Sequence, residues 1–138
     1  MRIMAIDYGD ARTGIAVSDL SGTLAGQAWT VRERDVQALA ELICKEAQDR
    51  EVRTIVVGHP KNMDGSVGPR AEKSEEFARI LNEKGAPEVK LWDERQTTVS
   101  ADNILKNTGK RGKKKKNILD AVAASLILEA YLASAQNT

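Results

Sequence analysis

The order of the sequence patterns constrains the fold of this chain more than any other feature. Three short apolar runs come first, at residues 2–7, 13–19 and 25–31, with glycines between and around them. Short apolar runs separated by turn residues predict three strands in an antiparallel meander. The next segment, 35–50, has apolar residues at helical spacing and Asp35 at its start, which predicts a capped amphipathic helix.

The second half of the chain alternates strands with helices. The patterns predict a strand at 54–58, a helix at 70–84, a strand at 89–93, a short helix at 98–105 and a closing helix at 117–135. Parallel strands need helical crossovers, whereas a meander supplies antiparallel neighbours. We therefore expect an α/β fold with one mixed five-stranded sheet flanked by helices. Because there is no internal repeat and no linker, we expect one domain over residues 1–138.

Acidic residues stand where open sheets of this kind hold their sites, at the carboxyl ends of strands. Asp7 ends the first predicted strand, and Asp93 and Glu94 end the last. Asp120 is the only charged residue in the apolar stretch 118–128. Because a partly buried carboxylate is unfavourable without a cation, we expect Asp7, Glu94 and Asp120 to gather around a divalent metal. Ligands that are all oxygen atoms suit Mg²⁺ or Mn²⁺.

Each of these acids also has a purely structural interpretation. Asp7 could be a turn residue, Asp120 could cap the closing helix, and Glu94 could pair with a neighbouring basic residue at the surface. Side chains alternate across a strand, so we expect only one of Asp93 and Glu94 to face the metal. The sequence does not say which of the two it is.

The charge distribution indicates a polyanionic partner. The formal net charge is +1, from 21 Lys and Arg residues and 20 Asp and Glu residues. Seven of the basic residues lie at 106–116 without one acid, which leaves 14 bases against 20 acids elsewhere. We expect this basic segment to be a loop that contacts a phosphate backbone, the alternative being a solvated tether. The residues expected to contact nucleic acid are Arg12, Lys61, Asn62, Arg95, Lys110, Arg111, Lys113, Lys114, Lys115 and Lys116.

Three of these candidates have alternatives that the sequence leaves open. Arg12 and Arg95 could clamp a phosphate, or they could satisfy nearby carboxylates. Asn62 belongs to a segment at 62–66 that could be a functional rim or a plain turn in which polar side chains bond the backbone.

Several other classes of protein are excluded by simple observations. We find no apolar run near the roughly 20 residues that cross a bilayer, and Asp7 comes too early for a signal peptide. We therefore expect a cytoplasmic protein without a membrane partner. Cys44 and His59 are the only residues of their types, so one chain can build neither a disulfide framework nor a Cys/His zinc site. We interpret His59 as local variation without a catalytic role.

Four segments in order carry a family pattern. They are Asp-Tyr-Gly-Asp-Ala-Arg-Thr-Gly in 7–19, Asn-Met-Asp-Gly-Ser in 57–68, Asp-Glu-Arg-Gln-Thr-Thr in 92–98 and an Asp-x-x-Ala-Ala helix in 120–132. Together they resemble the YqgF family, also called RuvX or the Holliday junction resolvase family, of the ribonuclease H-like superfamily. The resemblance implies a ribonuclease H-like fold and a metal-dependent nuclease that hydrolyses phosphodiester bonds.

The resemblance also implies a substrate and a set of site residues. The expected role is 5′-end processing of pre-16S ribosomal RNA, with a Holliday junction resolvase or other DNA nuclease, and a non-catalytic nucleic-acid-binding module, as alternatives. Asp7, Glu94 and Asp120 correspond to the family's catalytic, metal-binding acids, with Glu94 taken over Asp93, and the metal is Mg²⁺ or Mn²⁺. RNA is favoured over DNA, and a monomer and a homodimer both stay open. Ala123 stands where related resolvases carry a fourth acid, which argues against resolvase activity.

Overall fold

One mixed sheet organises the fold in the computed structural model, which describes residues 1–96 and 112–136. Its strands are β1 (Arg2–Asp7), β2 (Thr13–Ser18), β3 (Ala25–Val31), β4 (Val52–His59) and β5 (Glu88–Asp93). The order across the sheet is β3-β2-β1-β4-β5. β1 and β3 both pair with β2 antiparallel, and β4 runs parallel to β1 on one side and to β5 on the other. The predicted mixed five-stranded sheet is confirmed, and β4 separates the two strands that end in the candidate acids.

Three α-helices flank this sheet. They are α1 (Val36–Asp49), α2 (Pro69–Glu83) and α3 (Gly112–Gln136), and a short 3₁₀ turn, Glu94–Gln96, follows β5. The predicted cap of α1 is confirmed, since Asp35 Oδ1 accepts hydrogen bonds from the backbone N–H of Gln37 at 2.9 Å and of Ala38 at 3.3 Å. The helix predicted at 98–105 lies outside the described residues.

The alternation of side chains in β1 divides the core between the two faces of the sheet. Met4 and Ile6 pack in the cluster formed with α1 and α2, and Ile3 and Ala5 pack in the cluster formed with α3. Residues two apart in a strand face the same way, so Asp7 continues the row that faces α3. In β4 the same alternation places Gly58 beneath α3.

The closing helix α3 differs from its prediction in two ways. It begins at Gly112 rather than near residue 117, so Lys113–Lys116 belong to its first turns and not to a loop. Lysines favour helix but carry no apolar periodicity, which hid the helix start from pattern reasoning. Residues 118–135 have a mean hydropathy of 1.6, and this part of the helix is long and apolar enough, by length and composition alone, to span a membrane. The expectation that no run approaches that length was wrong. The buried residues of α3, which lie against the sheet, are Ala124, Ile127, Leu128 and Leu132.

Candidate active site

Asp7 is a half-buried residue at the carboxyl end of β1. Burial, which is the largest cause, and the negative charges of Glu94 and Asp120 together raise the pKa of Asp7 to about 7, and the positive charge of Arg70 opposes them. Among the described residues, no basic side chain forms an ion pair with Asp7. The strand end therefore carries a desolvated acid whose ionised form lacks a partner in contact with it.

Glu94 reaches the same region from β5, across the intervening strand β4. A Cβ on Gly58 of β4 would lie 3.0 Å from both Cδ and Oε2 of Glu94 and 2.8 Å from Cδ1 of Ile127. Glycine at this position therefore leaves the space that the Glu94 carboxylate occupies. Burial raises the pKa of Glu94, an effect that Arg70 opposes. The alternative of a surface ion pair for Glu94 is not what the described part of the chain shows, because no such pair is formed.

Asp120 lies on α3, which packs very close to β2. A Cβ on Gly14 would lie 2.0 Å from the backbone oxygen of Asp120, and Gly14 is the pairing partner of Asp7. The absence of a side chain at Gly14 therefore brings α3 down beside Asp7. Asp120 lies eight residues after the first residue of α3, so the alternative that it caps this helix is wrong. Its Oδ2 accepts a hydrogen bond from Arg12 Nε at 2.8 Å.

The three carboxylates are grouped, but they do not form a closed cage for an ion. The charges of Glu94 and Asp120 both act on Asp7. Within residues 1–96 and 112–136, however, no three His, Cys, Asp or Glu side chains stand close enough to hold one metal together. The donors still fit a hard divalent cation, because all are carboxylate oxygens and Asp7 is partly desolvated without a basic side chain of the described residues in contact. Asp120 is the member that is turned toward a protein cation, Arg12.

Asp93 forms an ion pair with Arg95. Arg95 Nε donates to both carboxylate oxygens of Asp93 at 3.0 Å, and Nη2 donates to Oδ2 at 2.6 Å. These hydrogen bonds lower the pKa of Asp93 to about 2. Of the two neighbouring acids, the structure thus places Glu94, rather than Asp93, beside Asp7. Arg12 and Arg95 each bind a carboxylate in the structure. The sequence left open whether they clamp a phosphate or satisfy nearby carboxylates, and the structure shows the second.

The remaining predicted contacts are distributed around the end of the sheet. Lys61 lies close enough to Asp93 for its charge to favour the ionised carboxylate. Asn62 is exposed and donates from Nδ2 to Ser66 Oγ at 2.9 Å within a turn. Lys113–Lys116 lie one to two turns before Asp120 on α3. Lys110 and Arg111 are outside the described residues.

Sequence reasoning missed one residue near the acids, Arg70, and assigned no catalytic role to His59. Arg70, at the start of α2, is exposed, and its charge acts on both Asp7 and Glu94. The Pro-Arg pair that opens α2 could have drawn attention to it, since helix starts after a strand are common anion sites. His59 faces the other side of the sheet, where its Nε2 is 3.4 Å from Glu75 Oε2 and lacks a hydrogen bond in the described structure.

The fold is ribonuclease H-like. Three antiparallel strands are extended by two parallel ones, and acids lie at the ends of β1 and β5 and on the helix that packs across the meander. Solved structures agree. The Thermus thermophilus RuvC structure aligns with a TM-score of 0.57 at 14% sequence identity, covering 98% of this chain and 97% of that chain. A fowlpox virus resolvase in complex with Holliday junction DNA aligns with the same TM-score and identity, covering 98% of this chain and 99% of that chain.

Sequence comparison identifies the family within this fold. Residues 1–134 match the family model described as "RuvX: Holliday junction resolvase", and the chain belongs to this family. A relative from Halothermothrix orenii is 48% identical over 136 residues, which cover 96% of this chain and 94% of the relative. One from Acetivibrio thermocellus is 44% identical over 136 residues, which cover 97% and 96%. Both carry the name "Putative pre-16S rRNA nuclease". The family resemblance found in the four sequence segments is confirmed.

Proposed function

We propose that the protein is a divalent-metal-dependent nuclease that hydrolyses phosphodiester bonds in the precursor of 16S ribosomal RNA, acting in the cytoplasm. The observation that carries the proposal is the half-buried Asp7, whose carboxylate is grouped with Glu94 and Asp120 at the end of the sheet. The names of two relatives above 40% identity over nearly the whole chain support the choice of substrate.

Asp7, Glu94 and Asp120 are the residues that would hold Mg²⁺ or Mn²⁺. The metal, when bound, supplies an activated water and stabilises the negative charge that develops on the phosphate and the leaving oxygen. Asp7 contributes a carboxylate that is already desolvated, and Glu94 approaches it through the space above Gly58. No histidine is needed as a general base, which agrees with the position of His59 on the other face of the sheet.

Basic residues around the acids would position the substrate. Arg70 is exposed and acts electrostatically on Asp7 and Glu94, so a phosphate seated among those acids lies within its reach. Arg12 is the other candidate, because it already lies against Asp120. Lys113–Lys116, with Lys110 and Arg111, supply positive charge ahead of Asp120 for the flanking backbone.

Cleavage assays with matched variants test this proposal. The protein is incubated with Mg²⁺ or Mn²⁺ and labelled precursor 16S RNA, unrelated single-stranded RNA or a four-way DNA junction. Asp7→Asn removes the buried acid, and Asp10→Asn is the control, because Asp10 is exposed and pairs with Lys73 outside the acid group. We expect metal-dependent cutting of the precursor RNA by the wild type and by Asp10→Asn, and none by Asp7→Asn.

Other results would decide against the proposal in distinct ways. Cutting of the DNA junction alone would support the resolvase alternative, toward which the family description points. Binding without cleavage of any substrate would indicate a non-catalytic nucleic-acid-binding module. Equal cleavage by Asp7→Asn and the wild type would remove the acid group from the reaction.

A further inference from the structure

An apolar side chain projects from the segment that follows β4, at the same end of the sheet as the candidate active site. Met63 is 87% exposed, the most exposed of the large hydrophobic residues in the described structure. It lies between β4 and α2, in the segment that joins the carboxyl end of β4 to the helix bearing Arg70. Single exposed hydrophobic residues are common on protein surfaces, so exposure alone assigns no role. The way in which the chain holds Met63 makes this residue different.

The segment around Met63 is a closed turn. The backbone N–H of Asn62 donates to the carbonyl of Ser66 at 3.0 Å, and the N–H of Gly65 donates to the carbonyl of Asn62 at 2.8 Å. Asp64 Oδ1 accepts from the Ser66 N–H at 2.9 Å. Gly65 has a φ of +89°, which a residue with a side chain rarely adopts. Met63 is therefore presented from a backbone that its neighbours fix on both sides.

Arg95 ties this turn to the end of β5. Its Nη1 donates to the Met63 carbonyl at 3.3 Å, while Nε and Nη2 bind the carboxylate of Asp93. The guanidinium also lies close to Gly65, where a Cβ would be 3.3 Å from Nη1. Because Arg95 directly follows Glu94, the backbone of Met63 is anchored one residue away from a candidate metal ligand. Two of the sequence motifs, Asn-Met-Asp-Gly-Ser and Asp-Glu-Arg, thus form one structural unit.

A ligand that contacts this exposed side chain must offer an apolar surface, and the surrounding charge limits the choice further. Lys61 precedes the turn and acts on Asp93, and Arg70 follows it and acts on the buried acids. A ligand that is apolar at one point and anionic at the adjacent points is a nucleotide chain, with a base face between phosphates. Methionine is flexible and polarisable, and it packs well against aromatic rings.

We propose that Met63 contacts a nucleobase next to the scissile phosphodiester and that the substrate is unpaired at this nucleotide. The inference rests on the proposed nuclease function and narrows its substrate class to a single-stranded or splayed RNA segment. In a continuous duplex each base is stacked between neighbours and its faces are covered, so Met63 could reach one only after unstacking it. Binding of a paired substrate would require that unstacking energy, whereas binding of an unpaired substrate would not.

Fluorescence of 2-aminopurine tests the contact directly. The base analogue is placed in turn at each position around the cut site of a single-stranded RNA, and binding is followed with the Asp7→Asn protein as the uncut reference. Met63→Ala is compared with the conservative Met63→Leu. Leu24→Ala is the matched control, since Leu24 is 68% exposed in the turn between β2 and β3, at the opposite end of the sheet.

We expect one position to change its fluorescence on binding, and Met63→Ala to abolish that change while Met63→Leu and Leu24→Ala retain it. With Asp7 intact, Met63→Ala should lower kcat/KM on the single-stranded RNA about tenfold. It should have a smaller effect on a substrate paired across the cut site, so that the preference for unpaired RNA shrinks.

The outcomes separate the inference from the proposed function. Cleavage by the wild type with an unchanged fluorescence response in Met63→Ala overturns the base contact alone. Lack of cleavage of every substrate overturns the nuclease function, whatever the fluorescence shows. If Met63→Ala weakens binding only to precursor RNA that carries proteins, and not to naked RNA, Met63 contacts a protein and the base contact is again overturned.

Discussion

Asp7→Asn is expected to stabilise the folded protein when no divalent metal is present. Asp7 is half-buried at the end of β1 without an ion pair to any residue that the structure describes, and the burial of its carboxylate is the largest reason for its raised pKa. Asparagine has nearly the same shape and carries no charge. The substitution therefore removes the desolvation of a negative charge while it leaves the packing beneath α3 in place.

The size and sign of the effect follow from the shift in pKa. The pKa of Asp7 rises from 3.8 to about 7 on folding. Between those two pH values the folded protein holds a proton that the unfolded chain has released, so the free energy of unfolding falls as pH rises. A shift of this size corresponds to about 4 kcal/mol at full development, which is an upper bound because the amide of the introduced asparagine also needs hydrogen-bond partners. Well below pH 4 the carboxyl is protonated in both states and the penalty is absent.

Urea unfolding in EDTA measures this directly. Wild type, Asp7→Asn and the exposed control Asp10→Asn are unfolded at intervals from pH 4.5 to pH 8.5. The advantage of Asp7→Asn should be small at the acid end, grow with pH and level off above about pH 7, while Asp10→Asn should follow the wild type. Mn²⁺ should then stabilise the wild type and not Asp7→Asn. An Asp7→Asn protein that is less stable than wild type at pH 8 in EDTA, or a difference that does not vary with pH, would refute this reasoning.

Three further substitutions probe the surroundings of the acids. Gly58→Ala places a Cβ 3.0 Å from the Glu94 carboxylate, so we expect about 1–3 kcal/mol of destabilisation in urea unfolding and about a 100-fold lower kcat from a displaced Glu94. Arg70→Ala should raise KM for RNA, and Arg70→Lys should restore part of the affinity, as measured in steady-state cleavage; equal values for all three proteins would contradict a phosphate contact. Replacing Lys113–Lys116 with alanine should reduce the slope of log binding constant against log salt by about 0.7 for each phosphate of single-stranded RNA that these lysines neutralise, and an unchanged slope would remove the lysines from the interface.

Local patterns predicted the elements well because each is dictated by neighbouring residues. The apolar run at 2–7 and the helical spacing after Asp35 predicted β1 and α1 nearly to the residue. The strand ends then pointed to Asp7 and to the pair Asp93 and Glu94, since the carboxyl ends of parallel strands meet at one edge of a sheet. The start of α3 was missed because Lys113–Lys116 carry no apolar periodicity from which a helix could be inferred.

The assembly of the site could not be predicted, because it depends on contacts between segments far apart in the sequence. Nothing in the local pattern shows that β4 lies between β1 and β5. Gly14 and Gly58 look like ordinary strand glycines in the sequence, and only the structure shows that Asp120 and Glu94 occupy the space beside them. Arg70 was missed for the same reason, since its charge acts on acids that the sequence places far from it.

Within residues 1–96 and 112–136, arginines neutralise some of the acids at this end of the sheet and leave others without a cation in contact. Arg12 neutralises Asp120, and Arg95 neutralises Asp93. Of the four acids Asp7, Asp93, Glu94 and Asp120, only Asp7 and Glu94 have no arginine in contact within the described part of the chain, and burial raises the pKa of both. An arginine bonded to either would neutralise its charge and compete with a metal for its oxygens, as Arg12 does at one oxygen of Asp120. In the described structure, the carboxylates without a bonded arginine are thus the one at the end of β1 and the one beside Gly58. A divalent cation bound between them would offset the unfavourable burial of their negative charge.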